Sequence, residues 1–193
     1  HFAELVEAKS NGETTITVLP GGALGDEKSN LQQLSNGSID MALTGTLVIS
    51  FMAQPYSLVS MDYLFDSSDH ILAVFNGEIG KELNAYIEDN HGIHNLGWQY
   101  VGTRMVTSNE PLRTVKDFEG LKIRLPGVKM SIQTWKRTGA DIVSVAFTEL
   151  YLALQTGTVS AQENPPNFIR AQKFYEVQRY LVDTNHRPPM QGF

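Results

Sequence analysis

Apolar residues recur along this chain in two alternating rhythms. Phe2, Leu5, Val6 and Ala8 fall on one face of a helix that Asn11-Gly12 ends. Residues 15–19 alternate polar and apolar as a strand does, closed by Pro20-Gly21-Gly22. The spacing then predicts a helix over 26–35, with Asp26 or Glu27 at its electropositive end and Asn36-Gly37 as its stop. Residues 39–43 read as a buried strand, followed by the turn Thr44-Gly45-Thr46.

Further along, 71–89 reads as one helical stretch, 96–101 as a strand and 117–120 as a short helical turn with a glycine stop. An alternating strand over 121–125 is closed by Pro126-Gly127. A helix near 130–138, a strand over 142–145 and a helix over 148–155 follow; another strand begins near Val159, and a last helix covers about 167–177. This alternation predicts an α/β fold with a largely parallel sheet. One internal echo stands out: Leu31-x-x-Leu34-x-x-Gly37-x-Ile39 and Tyr151-x-x-Leu154-x-x-Gly157-x-Val159. Any helix-to-strand junction with a glycine stop reads this way. Two similar lobes, one in each half, would produce it too, and ligands often bind between lobes or beyond the carboxyl ends of parallel strands.

Composition narrows the function classes. With 193 residues, 41% hydrophobic and 19% charged, the chain can bury a core, which excludes disordered and low-complexity classes. No apolar run approaches the roughly 20 residues of a membrane span. The first residues carry neither a basic segment nor a long apolar core, so no signal peptide is read there. The net charge of −6 argues against a general nucleic-acid binder. It leaves room for a local basic pocket within 104–137, where basic residues outnumber acidic ones. Without cysteines, disulfides, thiolate metal sites and cysteine nucleophiles are excluded.

Catalytic patterns fail. The glycines at 21–25 have the wrong spacing for a dinucleotide or phosphate loop. His91 and His94 lack an evident third metal ligand, and no nucleophile elbow is present. No cofactor, metal or enzymatic activity is therefore expected. Two arginines are more informative. Arg104 follows Gly102-Thr103, and Arg124 sits inside an alternating strand, opposite Ile123 and Leu125 and alongside Lys122. Such an arginine ordinarily faces solvent. Its planar fork would equally suit a ligand carboxylate, gripped by two parallel hydrogen bonds. In Gln162-Glu163-Asn164-Pro165-Pro166 the prolines hold Asn164 extended, either as a plain helix cap or as an amide donor at a cleft.

These residues also carry a resemblance. Gly102-Thr103-Arg104, the run Gly120-Leu121-Lys122-Ile123-Arg124-Leu125-Pro126, and residues 147–157 continuing to Gln162-Glu163-Asn164-Pro165 resemble the periplasmic solute-binding subunit of TRAP transporters, the DctP-type family. Residues 2–7, 24–25, 34–40 and 171–178 are similar to it in the same order. The resemblance implies a two-lobed α/β fold of the periplasmic-binding type: lobe I over 1–100, lobe II over 101–187, and 188–193 starting a return to lobe I. It implies a monomeric, extracytoplasmic protein that captures an organic acid anion by hinge closure and hands it to a membrane permease. Position by position, Arg124 matches the family's main carboxylate clamp, Arg104 a second basic residue, Asn164 a supporting amide and Phe147 an apolar wall. Thr44 and Thr46 lie in a first-lobe turn facing the cleft.

Three departures are visible. Ser160 replaces a common aspartate. The uncharged 44–48 turn disfavours sialic acid. Gly127 offers no polar contact, which favours a smaller or less hydroxylated acid. The family's first strand and long C-terminal helices are not found in these residues, so the resemblance also implies a fragment of a longer protein. A related role, reporting ligand to a sensor protein, would use the same ligand-site residues, and an enzyme on a similar fold would need a nucleophile–base pair or a metal in the cleft.

Overall fold

The computed structural model describes residues 1–187 and 190–192. Its first half is helical: α1 (Phe2–Lys9), α2 (Glu27–Ser35), α3 (Leu47–Met52), α4 (Ser68–Asn76) and α5 (Glu78–His91). Local chemistry sets several boundaries. Asp26 caps α2 by accepting the Ser29 N–H at 2.8 Å, and Ser67 caps α4 by accepting that of His70 at 3.1 Å. The stretch predicted as one helix over 71–89 is two helices, because Gly77 is extended between them. α5 then turns closely back on α4: a Cβ at Gly80 would lie 1.8 Å from the Phe75 carbonyl oxygen, so only glycine fits there.

The second half supplies the sheet. After β1 (Trp98–Tyr100) come β2 (Arg104–Ser108), β3 (Lys122–Leu125), α6 (Lys129–Lys136), β4 (Asp141–Ser144), α7 (Leu150–Gln155), β5 (Ala161–Asn164), α8 (Pro166–Ala171), β6 (Tyr180–Arg187) and β7 (Met190–Gly192). Short 3₁₀ turns stand at 54–60, 115–118, 147–149 and 174–176. The last predicted helix, 167–177, is therefore α8 plus a 3₁₀ turn, separated where Lys173 adopts a left-handed φ of 55°. Five strands run in the order β4-β3-β5-β2-β6. β3 is parallel to β4 and β5, whereas β2 is antiparallel to β5 and β6. The sheet is thus mixed rather than largely parallel, because β2 inserts between β5 and β6.

Two predicted strands do not form. Residues 15–19 and 39–43 are irregular, and Val18 and Leu19 are 66% and 54% exposed. A strand needs a neighbour to complete its hydrogen bonds, and none lies beside either segment among the described residues. Only Thr44 forms a bridge, to Gly192. The apolar run that follows becomes α3, burying Val48, Ile49 and Met52.

Three groups of buried apolar side chains hold these elements. One gathers Leu31, Ile49, Ile71, Phe75, Leu83 and Ile87, and it includes Met190 from the far end of the chain. A second lies under the sheet around Val106, Ile123, Leu125 and Trp135, and a third joins α7 and α8 around Leu154, Ile169 and Phe174. β7 pairs with β1, so residues 190–192 lie against the first group. Pro188-Pro189 and Phe193, expected to belong to the return toward lobe I, lie outside the described residues. A buried acid also ties the halves together. Asp62 accepts hydrogen bonds from Ser131 Oγ (2.6 Å) and Trp135 Nε1 (2.9 Å) on α6, and its other oxygen lies 3.5 Å from Arg187 Nε at the end of β6. None of the described helices is long and apolar enough to cross a membrane.

Candidate functional site

Three adjacent strands carry the candidate residues. β5 lies between β3 and β2, with Arg124 of β3 opposite Gln162 and Met105 of β2 opposite Asn164. Arg124, Asn164 and Arg104 thereby come to one edge of the sheet, at the carboxyl ends of the parallel strands.

Arg124 does not face solvent. It is 4% exposed, between Ile123 and Leu125 at 0%. Its Nε donates to the Val145 carbonyl at 2.9 Å, which fixes the plane of the guanidinium. Among the described residues the two terminal nitrogens make no hydrogen bond and have no carboxylate oxygen within 4.0 Å. Burial pushes its pKa down to about 10 and the Arg104 charge adds to that, while Glu163 and Glu27 act in the opposite sense. Arg124 is therefore a desolvated cation whose fork is unfilled.

Arg104 is in a different state. It forms an ion pair with the fully buried Glu163, bonding both carboxylate oxygens and the Glu163 carbonyl. Its Nη2 also reaches Asn164 Oδ1 at 3.1 Å. His186 Nε2 meets the same Glu163 carboxylate at 2.9 Å, with Thr184 on its other ring nitrogen. Burial works to raise the Glu163 pKa, but the Arg104 charge and the bonds from His186 and Arg104 hold it well below the usual carboxylate range. The Arg104 charge is thus answered within the protein. Its Nη1 makes no hydrogen bond among the described residues.

Asn164 is oriented by a buried polar chain. Its Nδ2 donates to Gln162 Oε1 at 2.6 Å, Gln162 donates to Thr107 at 2.8 Å, and Thr107 donates to Gln178 at 3.2 Å. One Asn164 N–H remains uncommitted. The Phe147 ring packs edge-on against Phe168 and Phe174, two residues beyond the carbonyl that holds Arg124. Thr44 and Thr46 are buried, and their hydroxyls make no hydrogen bond among the described residues. The Thr44 backbone is spent on Gly192.

The two halves touch around this edge. A Cβ at Gly22 would lie 2.5 Å from Thr148 Cγ2, and one at Gly127 would lie 3.7 Å from Leu47 Cδ1. A side chain at Gly127 would thus meet Leu47 at ordinary contact distance, whereas one at Gly22 would collide with Thr148. The sequence reads Glu27 only as a residue near the helix start. Its Oε1 accepts the Gly45 N–H at 2.6 Å. Burial raises its pKa, against the Gly45 bond and the attraction of Arg104 and Arg124.

Sequence reasoning named both arginines, but it passed over Glu163 as their electrostatic partner. An acid one residue before Asn164, on a strand flanked by cations, was the available signal. Glu27 and His186 gave none, since each reaches the site from far along the chain. His91 and His94 turn to separate partners, the Met52 carbonyl and Glu88. The assembled groups are charges, amides, hydroxyls and an aromatic wall, a set suited to holding an anion.

Comparison with known proteins finds relatives of the chain as a whole. The sequence pattern of the bacterial extracellular solute-binding proteins of family 7, DctP, matches residues 1–193. The chain is 35% identical over 185 residues to the sialic acid-binding periplasmic protein SiaP of Vibrio cholerae, covering 96% of this chain and 58% of that protein. It is 32% identical over 186 residues to the 2,3-diketo-L-gulonate-binding periplasmic protein YiaO of Escherichia coli, covering 96% and 56%. The chain thus spans little more than half the length of these relatives. Among solved structures, the sugar acid binding protein DctPAm of Advenella mimigardefordensis in complex with galactonate is similar with a TM-score of 0.94 at 31% identity, covering 100% of this chain and 62% of that one. A TRAP periplasmic solute binding protein of Polaromonas bound to D-erythronate is similar with a TM-score of 0.93 at 30% identity, covering 99% and 63%.

Proposed function

The chain belongs to the DctP family of bacterial extracellular solute-binding proteins, family 7, and from that premise we propose that it captures an organic acid anion through Arg124 and delivers it to a TRAP-type permease. The observation that carries this reading is the buried Arg124 guanidinium, which has no carboxylate beside it among the described residues. A buried, unpaired charge is costly, and it is retained where a ligand completes it. A ligand carboxylate would take the two terminal nitrogens in a bidentate pair, and Arg104 Nη1 and the free Asn164 N–H would supply further donors.

In this reading the chain divides near residue 100 into two lobes, with residues 188–193 returning to the first. The anion binds between the lobes, Phe147 walls it, and the Thr44–Thr46 turn approaches from lobe I. Closure removes water, which strengthens every charge contact made inside. The protein works outside the cytoplasm as a monomer and performs no chemistry on its ligand. Relatives with names of this kind are periplasmic binding proteins, which supports that location. A thermal-shift screen of the intact protein against organic acids at pH 7 and low salt tests the proposal. Binding to the native state raises apparent stability by mass action. A shift with one class of acid, and none with neutral sugars, is the expected result; equal response to neutral sugars would refute an anion clamp.

A further inference from the structure

We infer that Glu27 selects the charge of the ligand, admitting hydroxylated monocarboxylates and excluding dicarboxylates. The inference rests on the reading of Arg124 as an anion clamp, and it begins from how Glu27 is held. The residue opens α2, and Gly45 pins one carboxylate oxygen at 2.6 Å. The other oxygen makes no hydrogen bond among the described residues. The carboxylate feels the charges of both Arg104 and Arg124, with Asp26 as its acidic neighbour on the same helix start. Yet no Glu27 oxygen comes within 4.0 Å of either guanidinium. Glu27 is thus held at the Thr44–Thr46 turn, close enough for both guanidinium charges to act on it and in contact with neither.

Charge counting gives the selectivity. Glu163 answers Arg104, so Arg124 is left at the strand edge as a cation with no carboxylate in contact among the described residues. A single ligand carboxylate neutralises it. The remainder of that ligand then extends toward Glu27 and the Thr44–Thr46 turn. A second carboxylate there would share a partly buried site with the Glu27 carboxyl, and two such groups cannot both ionise without a large cost. Hydroxyl groups instead donate to the free Glu27 oxygen and exchange hydrogen bonds with the Thr44 and Thr46 hydroxyls, which have no partner of their own. Burial disfavours the ionised form of Glu27, so the side chain is kept at some cost to the fold, as expected of a residue retained for recognition.

Titration calorimetry on the intact protein at pH 7 tests this, with galactonate and D-erythronate as hydroxylated monocarboxylates and succinate as the dicarboxylate. Wild type is expected to bind at least one of the monocarboxylates about 100-fold or more tightly than succinate. Glu27→Gln keeps an acceptor for the Gly45 N–H and removes the charge, so it should narrow that ratio at least about tenfold. Its melting temperature, no lower than that of wild type, would show an intact fold. Succinate bound as tightly as the hydroxylated acids by wild type, or a ratio unmoved in Glu27→Gln, overturns the inference. Arg124→Ala separates the two levels. If it abolishes binding while Glu27→Gln leaves the ratio unchanged, the selectivity role alone fails. If Arg124→Ala binds like wild type, or none of the three acids binds wild type, the inference falls, and in the first case the clamp falls with it.

Discussion

Replacing Arg124 by methionine separates recognition from folding. The substitution keeps an unbranched apolar stem in the site and removes the charge. In the protein the guanidinium is 4% exposed and its pKa is lowered to about 10, chiefly through burial. At about 1.36 kcal/mol per pH unit, that fall represents about 3 kcal/mol of unrelieved desolvation. Against it stands one hydrogen bond to the Val145 carbonyl, worth about 1 kcal/mol. Arg124→Met should therefore stabilise the ligand-free protein by about 1–2 kcal/mol, a gain of a few degrees in melting temperature. Binding should move the opposite way. A ligand carboxylate left without its buried partner loses about 2–5 kcal/mol, roughly 30- to 5,000-fold in affinity. Scanning calorimetry without ligand and titration calorimetry with the best acid from the screen read the two effects separately. Affinity within about threefold of wild type would refute the clamp, since a truncated buried charge pair costs far more than that. A melting temperature several degrees lower would show that Arg124 is a structural cation.

Other perturbations test the surrounding groups. Glu163→Gln leaves Arg104 and His186 without their shared carboxylate and should destabilise by about 3–5 kcal/mol in urea unfolding. Because the Glu163 pKa is depressed, that gap should be complete above about pH 4.5, the ordinary value, and close as pH falls below it. Glu27 has the opposite sign. Its raised pKa favours the protonated form in the fold, so Glu27→Gln should melt higher than wild type at pH 7, and the difference should vanish below about pH 4.5. Asp62→Ala removes the acceptor of Ser131 and Trp135 and leaves the buried Arg187 unpaired, so a loss of about 3–5 kcal/mol is expected in the same unfolding assay. A loss below about 1 kcal/mol would show that the two halves are held by apolar packing instead.

The order of elements in the second half was legible from residues 115–171, because each has a local cause. Lys122 to Leu125 alternates, Pro126-Gly127 ends the strand, and Gly157 stops the helix before it at a left-handed φ of 73°. The helix over Glu27–Ser35 was legible for the same reason, since Asp26 caps it and Asn36-Gly37 ends it. The failures at 15–19 and 39–43 share one origin. Alternation shows that a segment could be a strand, but a strand exists only beside a partner that satisfies its backbone. β2 and β6 were missed for the converse reason: neither alternates along the chain, and they become strands by pairing with each other across more than seventy residues.

The site divides along the same line. Arginine in an alternating strand, an asparagine held by prolines, and motifs in family order are properties of neighbouring residues, and the sequence alone determined them. Which cation is answered and which is left free was decided only by the tertiary structure. Both arginines are of one chemical type, and only the family resemblance, not the residue pattern, ranked Arg124 ahead of Arg104. The sheet order β3-β5-β2 brings Glu163 and the distant His186 to Arg104 and leaves Arg124 with a single carbonyl. Helix caps and turns act over a few residues and so can be read along the chain. Charge pairing acts through space, and its outcome depends on what the fold brings within about 4 Å.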